Sequence, residues 1–85
     1  INRDGMAQIC QGLDALGLHY IPSLGNFIAV ELASDAIPVY QALLREGVIV
    51  RPVGVYQMPK HLRVSIGLPH ENKRFLGALK KVLSV

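Results

Sequence analysis

The chain predicts an α/β fold of the α+β kind: a two-layer sandwich with helices packed on one face of a small mixed or antiparallel sheet. Three observations predict it. Apolar residues recur at three- and four-residue spacing in three segments, they alternate at spacing two in the segments between, and glycine or proline marks most of the changeovers. The resulting order is α-β-β-α-β-β-α, and helices interleaved with short strands bury their apolar stripes by covering the sheet. Eighty-five residues make a single domain, 1–85.

The first helix is predicted from about Asn2 to Leu16, where Met6, Ile9, Cys10, Leu13 and Leu16 share a face, and Gly17 stands where a helix-ending glycine belongs. His19-Tyr20-Ile21 is a short extended piece stopped by Pro22, with a turn over Ser23-Leu24-Gly25. Asn26 to Leu32 alternates, sending Ile28, Val30 and Leu32 to one face and Phe27, Ala29 and Glu31 to the other. Ser34-Asp35 supplies an N-cap, and Pro38 falls in the first turn, where its missing N–H removes only a donor without an intrahelical partner. The second helix then runs from about Asp35 to Glu46 on Val39, Leu43, Tyr40 and Leu44, closed by Gly47. Val48 to Val53 is a strand, Gly54 to Lys60 a connection, and Leu62 to Gly67 the last strand. Pro69-His70-Glu71-Asn72 opens the third helix with an acid in its first turn, and Phe75, Leu76, Leu79, Val82 and Leu83 form its stripe.

An apolar content of 51% allows a core without staples and implies surplus apolar surface for a larger partner to cover. The single Cys10 excludes an internal disulfide, and its place on the apolar face reads as a small hydrophobe. A net charge of +3 comes from dispersed Lys and Arg, with only the pairs Lys73-Arg74 and Lys80-Lys81 adjacent, so no polybasic footprint points to nucleic acid or membrane. No apolar run approaches the roughly 18 residues of a membrane span, and the first residues lack a signal-peptide pattern, so a cytoplasmic location is expected. A start at Ile1, with helical periodicity already under way, suggests a segment of a longer protein.

Two arginines stand out because each sits in a β-branched run, Arg51 in Gly47-Val48-Ile49-Val50-Arg51-Pro52 and Arg63 in His61-Leu62-Arg63-Val64-Ser65-Ile66-Gly67. Alternation aims Arg63 and Ser65 away from the apolar layer of Leu62, Val64 and Ile66. From the residues alone, such an arginine is either a solvated strand residue or a rigidly mounted fork for a carboxylate or phosphate.

The words GVIVRPV and LRVSIGLPHENKRFLGAL, with YIPSLGNFIAVEL upstream, resemble the C-terminal part of the histidinol-phosphate aminotransferases, pyridoxal-phosphate enzymes of the aspartate-aminotransferase fold type. The resemblance runs from about Asn2 to Leu83. It implies the small C-terminal domain of such an enzyme, with the cofactor-binding large domain preceding it. It implies that Arg63 takes the substrate's carboxylate or phosphate, that Arg51 is a second arginine near the same end, and that Asn26 is a supporting candidate; Tyr56 is a further supporting candidate by its place in the loop between the arginine strands. Asn26 also has a structural reading as a turn residue satisfying backbone groups. The implied cofactor is pyridoxal 5'-phosphate, the implied substrates are histidinol phosphate and glutamate or 2-oxoglutarate, and the implied assembly is a homodimer. The 85-residue chain alone is expected to be a monomer that neither binds the cofactor nor catalyses, because Lys60, Lys73, Lys80 and Lys81 lack the family's Schiff-base context.

Other chemistries find little purchase. His19, His61 and His70 lack metal-pair spacing, and no serine has the glycine setting of a nucleophile elbow. Aromatic aminotransferases and threonine-phosphate decarboxylase share the Arg63 site and stay open as relatives. A different class, a basic RNA-binding α/β module, would stack bases on aromatic strand residues, for which Phe27 is the lone candidate.

Overall fold

A computed structural model describes residues 3–22, 25–48, 50–53 and 58–83, with side chains for all of these except 51–53, 58 and 59. The elements are α1 (Arg3–Ala15), β1 (Tyr20–Pro22), β2 (Phe27–Glu31), α2 (Ala36–Arg45), β3 (Arg51–Val53), β4 (Met58–Ser65) and α3 (Pro69–Leu83). The expected order holds. The four strands form one sheet in the order β1-β2-β4-β3, and every neighbouring pair is antiparallel, which settles the mixed-or-antiparallel alternative.

One face of the sheet carries the core. Ile28 and Val30 from β2, and Leu62 and Val64 from β4, are buried against Ile9 and Leu13 of α1, Val39 and Leu43 of α2, and Phe75 and Leu79 of α3. Of the residues expected on the α2 face, Tyr40 is partly buried, whereas Leu44 is exposed and Ala36 takes a core position. Helical spacing from Val39 selects Leu43 and Ala36 equally well, and Leu44 lies a further 100° round. The exposed large apolar side chains among the described residues are Ile21 on β1, Ile37 and Leu44 on α2, and Leu68 in the turn before α3.

Both helix-ending glycines adopt the left-handed conformation, with φ of 73° at Gly17 and 80° at Gly47. The bonds around them repeat one pattern. Leu18 N–H donates to the Leu13 carbonyl and Gly17 N–H to Asp14, while Val48 N–H donates to Leu43 and Gly47 N–H to Leu44, so the last carbonyls of both helices are satisfied as in a Schellman motif. At the other end of α2, the Asp35 carboxylate accepts the Ile37 N–H at 3.0 Å.

Strands β3 and β4 differ from expectation at their ends. Val48 and Val50 are buried, but β3 begins only at Arg51, and Val48 and Val50 line a groove of about 490 Å³ together with Val64 to Gly67. Strand β4 begins early, taking in Met58 to Lys60 from the expected connection and ending at Ser65. The β3–β4 register slips between Pro52 and Val53, and such an irregularity accommodates Pro59, which has no N–H for a regular ladder.

Candidate functional site

The second face of the sheet is where the chemistry stands. Directly paired residues in an antiparallel ladder share a face. The register therefore puts Ile21, Ala29, Arg63 and Arg51 in one row across β1, β2, β4 and β3, with Phe27 and Ser65 paired on one side of that row and Glu31 and His61 on the other. Arg63 thus projects from a central strand whose alternate residues Leu62 and Val64 are locked in the core.

The Arg63 guanidinium lies over the Phe27 ring, 4.3 Å from its centroid, and its side chain is exposed. None of the chain's six Asp and Glu is within ion-pair distance of it. The nearest by register, Glu31, stands 3.8 Å from His61 Nε2, an ion pair only when that imidazole is protonated. His61 Nδ1 is buried and has no hydrogen-bond partner among the described residues. Arg63 is consequently a planar cation on a rigid support whose donors are not neutralised by a carboxylate, which is what a fork for an incoming anion requires.

The other expected site residues fare differently. Arg51 stands opposite Arg63 in the ladder, as a shared role would need, but its side chain lies outside those described. Asn26 is exposed at the entry to β2, and its backbone carbonyl accepts the Ile66 N–H at 2.7 Å, a bond that does not depend on the side chain. Tyr56 lies outside the described residues.

Asn72 was not among the expected site residues, yet it fixes the turn that β4 runs into. It is 2% exposed. Its Oδ1 accepts the Gly67 N–H at 2.9 Å, and its Nδ2 donates to the Gly67 carbonyl at 3.0 Å and to Gln8 Oε1 at 3.1 Å. Gln8 Nε2 in turn donates to the Pro69 carbonyl at 3.0 Å, tying α1 to the start of α3. Beside it, Glu71 Oε1 accepts the Leu68 N–H at 2.8 Å, the backward half of a capping box, with Pro69 at the first helical position. The signal in the sequence was spacing: Asn72 precedes Phe75 by three and Leu79 by seven, which puts it on the buried stripe.

Among the described residues, no lysine stands beside Arg63. Lys73, Lys80 and Lys81 are on α3, on the far side of the sheet from Arg63, with Lys81 Nζ 3.1 Å from Glu46. Lys60 alternates with Arg63 on β4 and so takes the opposite orientation. No group of three or more His, Cys, Asp or Glu among the described residues could hold a metal ion, and no helix among them is long and apolar enough to cross a membrane.

Comparison with known proteins gives the family. The family model for aminotransferase class I and II matches residues 3–79. The chain is 71% identical over 84 residues to histidinol-phosphate aminotransferase 2 of Pseudomonas aeruginosa, and 63% identical over 84 residues to the protein of the same name in Pseudomonas fluorescens strain Pf0-1. In both cases the match covers 99% of this chain and 23% of the relative, so the chain spans about a quarter of the length of the curated relatives it matches. Among solved structures, an aspartate aminotransferase tetra mutant of Thermus thermophilus superposes with a TM-score of 0.84 at 27% identity, covering 95% of this chain and 24% of that one. With the family model spanning nearly all of its length and close relatives of the same kind, the chain belongs to the aminotransferase class I and II family.

Proposed function

We propose that this chain is the anion-binding small domain of a pyridoxal-phosphate-dependent aminotransferase that transfers an amino group between histidinol phosphate and 2-oxoglutarate in histidine biosynthesis. The observation that carries the reading is Arg63, exposed on a central strand, seated on Phe27 and unpaired with any of the chain's acids. A guanidinium fork accepts a carboxylate or a phosphate with the same two parallel N–H bonds, so one residue serves both partners of the exchange. Arg51, opposite it in the ladder, is the second cation at that end of the substrate. The lysine that holds the cofactor, and the large domain around it, belong to the part of a longer protein outside these 85 residues, where pyridoxal phosphate supplies the electron sink for the exchange. The enzyme acts as a cytoplasmic homodimer.

The names of the most similar relatives favour histidinol phosphate over an aromatic amino acid as the amino donor. The RNA-binding reading has nothing to recommend it, since the face of the Phe27 ring that a base would use is covered by Arg63. Steady-state assay of the full-length protein with histidinol phosphate and with phenylalanine, each against 2-oxoglutarate, tests the assignment. A kcat/KM for histidinol phosphate higher by on the order of 100-fold is expected. Equal values would favour a broad-specificity aminotransferase, and no exchange with either donor would sink the reading.

A further inference from the structure

We infer that Phe27 is a positioning residue for the anion grip: its ring fixes the plane of the Arg63 guanidinium so that the N–H edge of the fork, and not its face, meets the substrate's anionic group. This inference rests on the proposed role of Arg63.

The register explains why the ring is there to be used. The residue directly across from Arg63 is Ala29, too short to support a guanidinium at the end of a long stem. Two neighbours remain along β2. Glu31, on one side, would bind the cation and consume the donors that an incoming anion needs, but it stands beside His61 instead. Phe27, on the other, offers an aromatic face, and the guanidinium carbon sits 4.3 Å above it. Support by a ring face attracts the cation through the quadrupole without accepting any of its five N–H bonds in-plane. The cation is therefore held still and left fully able to donate.

Holding it still has a direct consequence for binding. An exposed arginine samples many rotamers, and an anion that must first collect the side chain loses affinity to that ordering. With the guanidinium carbon held over the Phe27 ring, the N–H donors stay free for an anion that approaches along the fork, the approach that makes two parallel bonds. The same geometry serves any planar carboxylate or phosphate edge, so the effect belongs to both substrates.

The test uses the full-length holoenzyme. Phe27→Leu, which keeps the apolar bulk and removes the ring face, is expected to raise KM for both anionic substrates by about 3- to 10-fold, with kcat changed less. Phe27→Tyr and Phe27→Trp keep a ring face and are expected to hold KM within about 2-fold of the parent. In an Arg63→Ala background, Phe27→Leu should have no further effect, because the group it orients is gone. If the leucine variant does not fold, Phe27→Met carries the same expectation. An unchanged KM in Phe27→Leu, or a loss that persists in the Arg63→Ala background, overturns the positioning role while leaving the anion grip standing. An Arg63→Ala enzyme with normal KM for both substrates overturns the grip itself, and the inference with it.

Discussion

At the scale of single residues, Arg63 was legible because a long cation in a β-branched run conflicts with its surroundings, and two-residue alternation alone fixes which way it points. What supports it was not legible: Phe27 could be placed on the same face, but the diagonal contact depends on a register that pairs Phe27 with Ser65 and Ala29 with Arg63. Tyr20 shows the same limit. Its ring is partly covered by the core, while its hydroxyl donates to Asp14 Oδ1 at 2.9 Å across the turn that ends α1. That bond, with lesser contributions from desolvation and from Cys10, pushes the phenol from 10.0 up to about 12, since ionisation would discard the donor and set a phenolate against a carboxylate. The folded state thus holds this proton more tightly than the unfolded state does. The stabilisation is whole below pH 10.0 and fades as pH rises through about 12. In a near-ultraviolet titration Tyr20 is expected to ionise well above an ordinary phenol, and Asp14→Asn should bring it down. An Asp14→Asn protein with an unshifted Tyr20 titration would show that the carboxylate is not the cause.

Among the elements, the three helices announce themselves through periodicity, caps and terminal glycines, because those signals are local. The strand ends do not. Where β3 starts and β4 stops depends on packing around the groove that Val48 and Val50 line with Val64 to Gly67, and the turn at Gly67 is held by Asn72 of α3 and, through it, Gln8 of α1. Asn72 therefore anchors the end of the strand that carries Arg63. Asn72→Ala is expected to destabilise the fold by about 2–3 kcal/mol, because it removes from a buried side chain its three hydrogen bonds to the Gly67 backbone and to Gln8. Gln8→Ala, which removes an outer member of the network, should cost about 1 kcal/mol or less. Urea unfolding of the full-length variants, read by hydrogen exchange within these residues, checks the ranking; equal losses would mean that Asn72 has no special hold on the turn.

For the whole molecule, the sheet has one face given to packing and one that carries Arg63 and Phe27, and the division follows from a single alternation carried through β2 and β4. All three helices cover the packing face, so nothing among the described residues blocks an anion from the Arg63 row. The layer architecture was readable because each helix had an apolar stripe and each central strand an apolar face, and only stacking buries both. The antiparallel order β1-β2-β4-β3 was not, because it requires β3 to return to the far side of a strand that follows it in the chain. If one fork holds the anion of both substrates, Arg63→Lys weakens both together, since the charge stays and the planar pair of donors goes. Charge-assisted bonds are worth roughly 1.5 to 3 kcal/mol each, so single-turnover kinetics of the full-length enzyme should show kcat/KM lower by about 10- to 100-fold in both half-reactions, with glutamate and with histidinol phosphate. A loss confined to one substrate, or no loss with either, would contradict the shared grip.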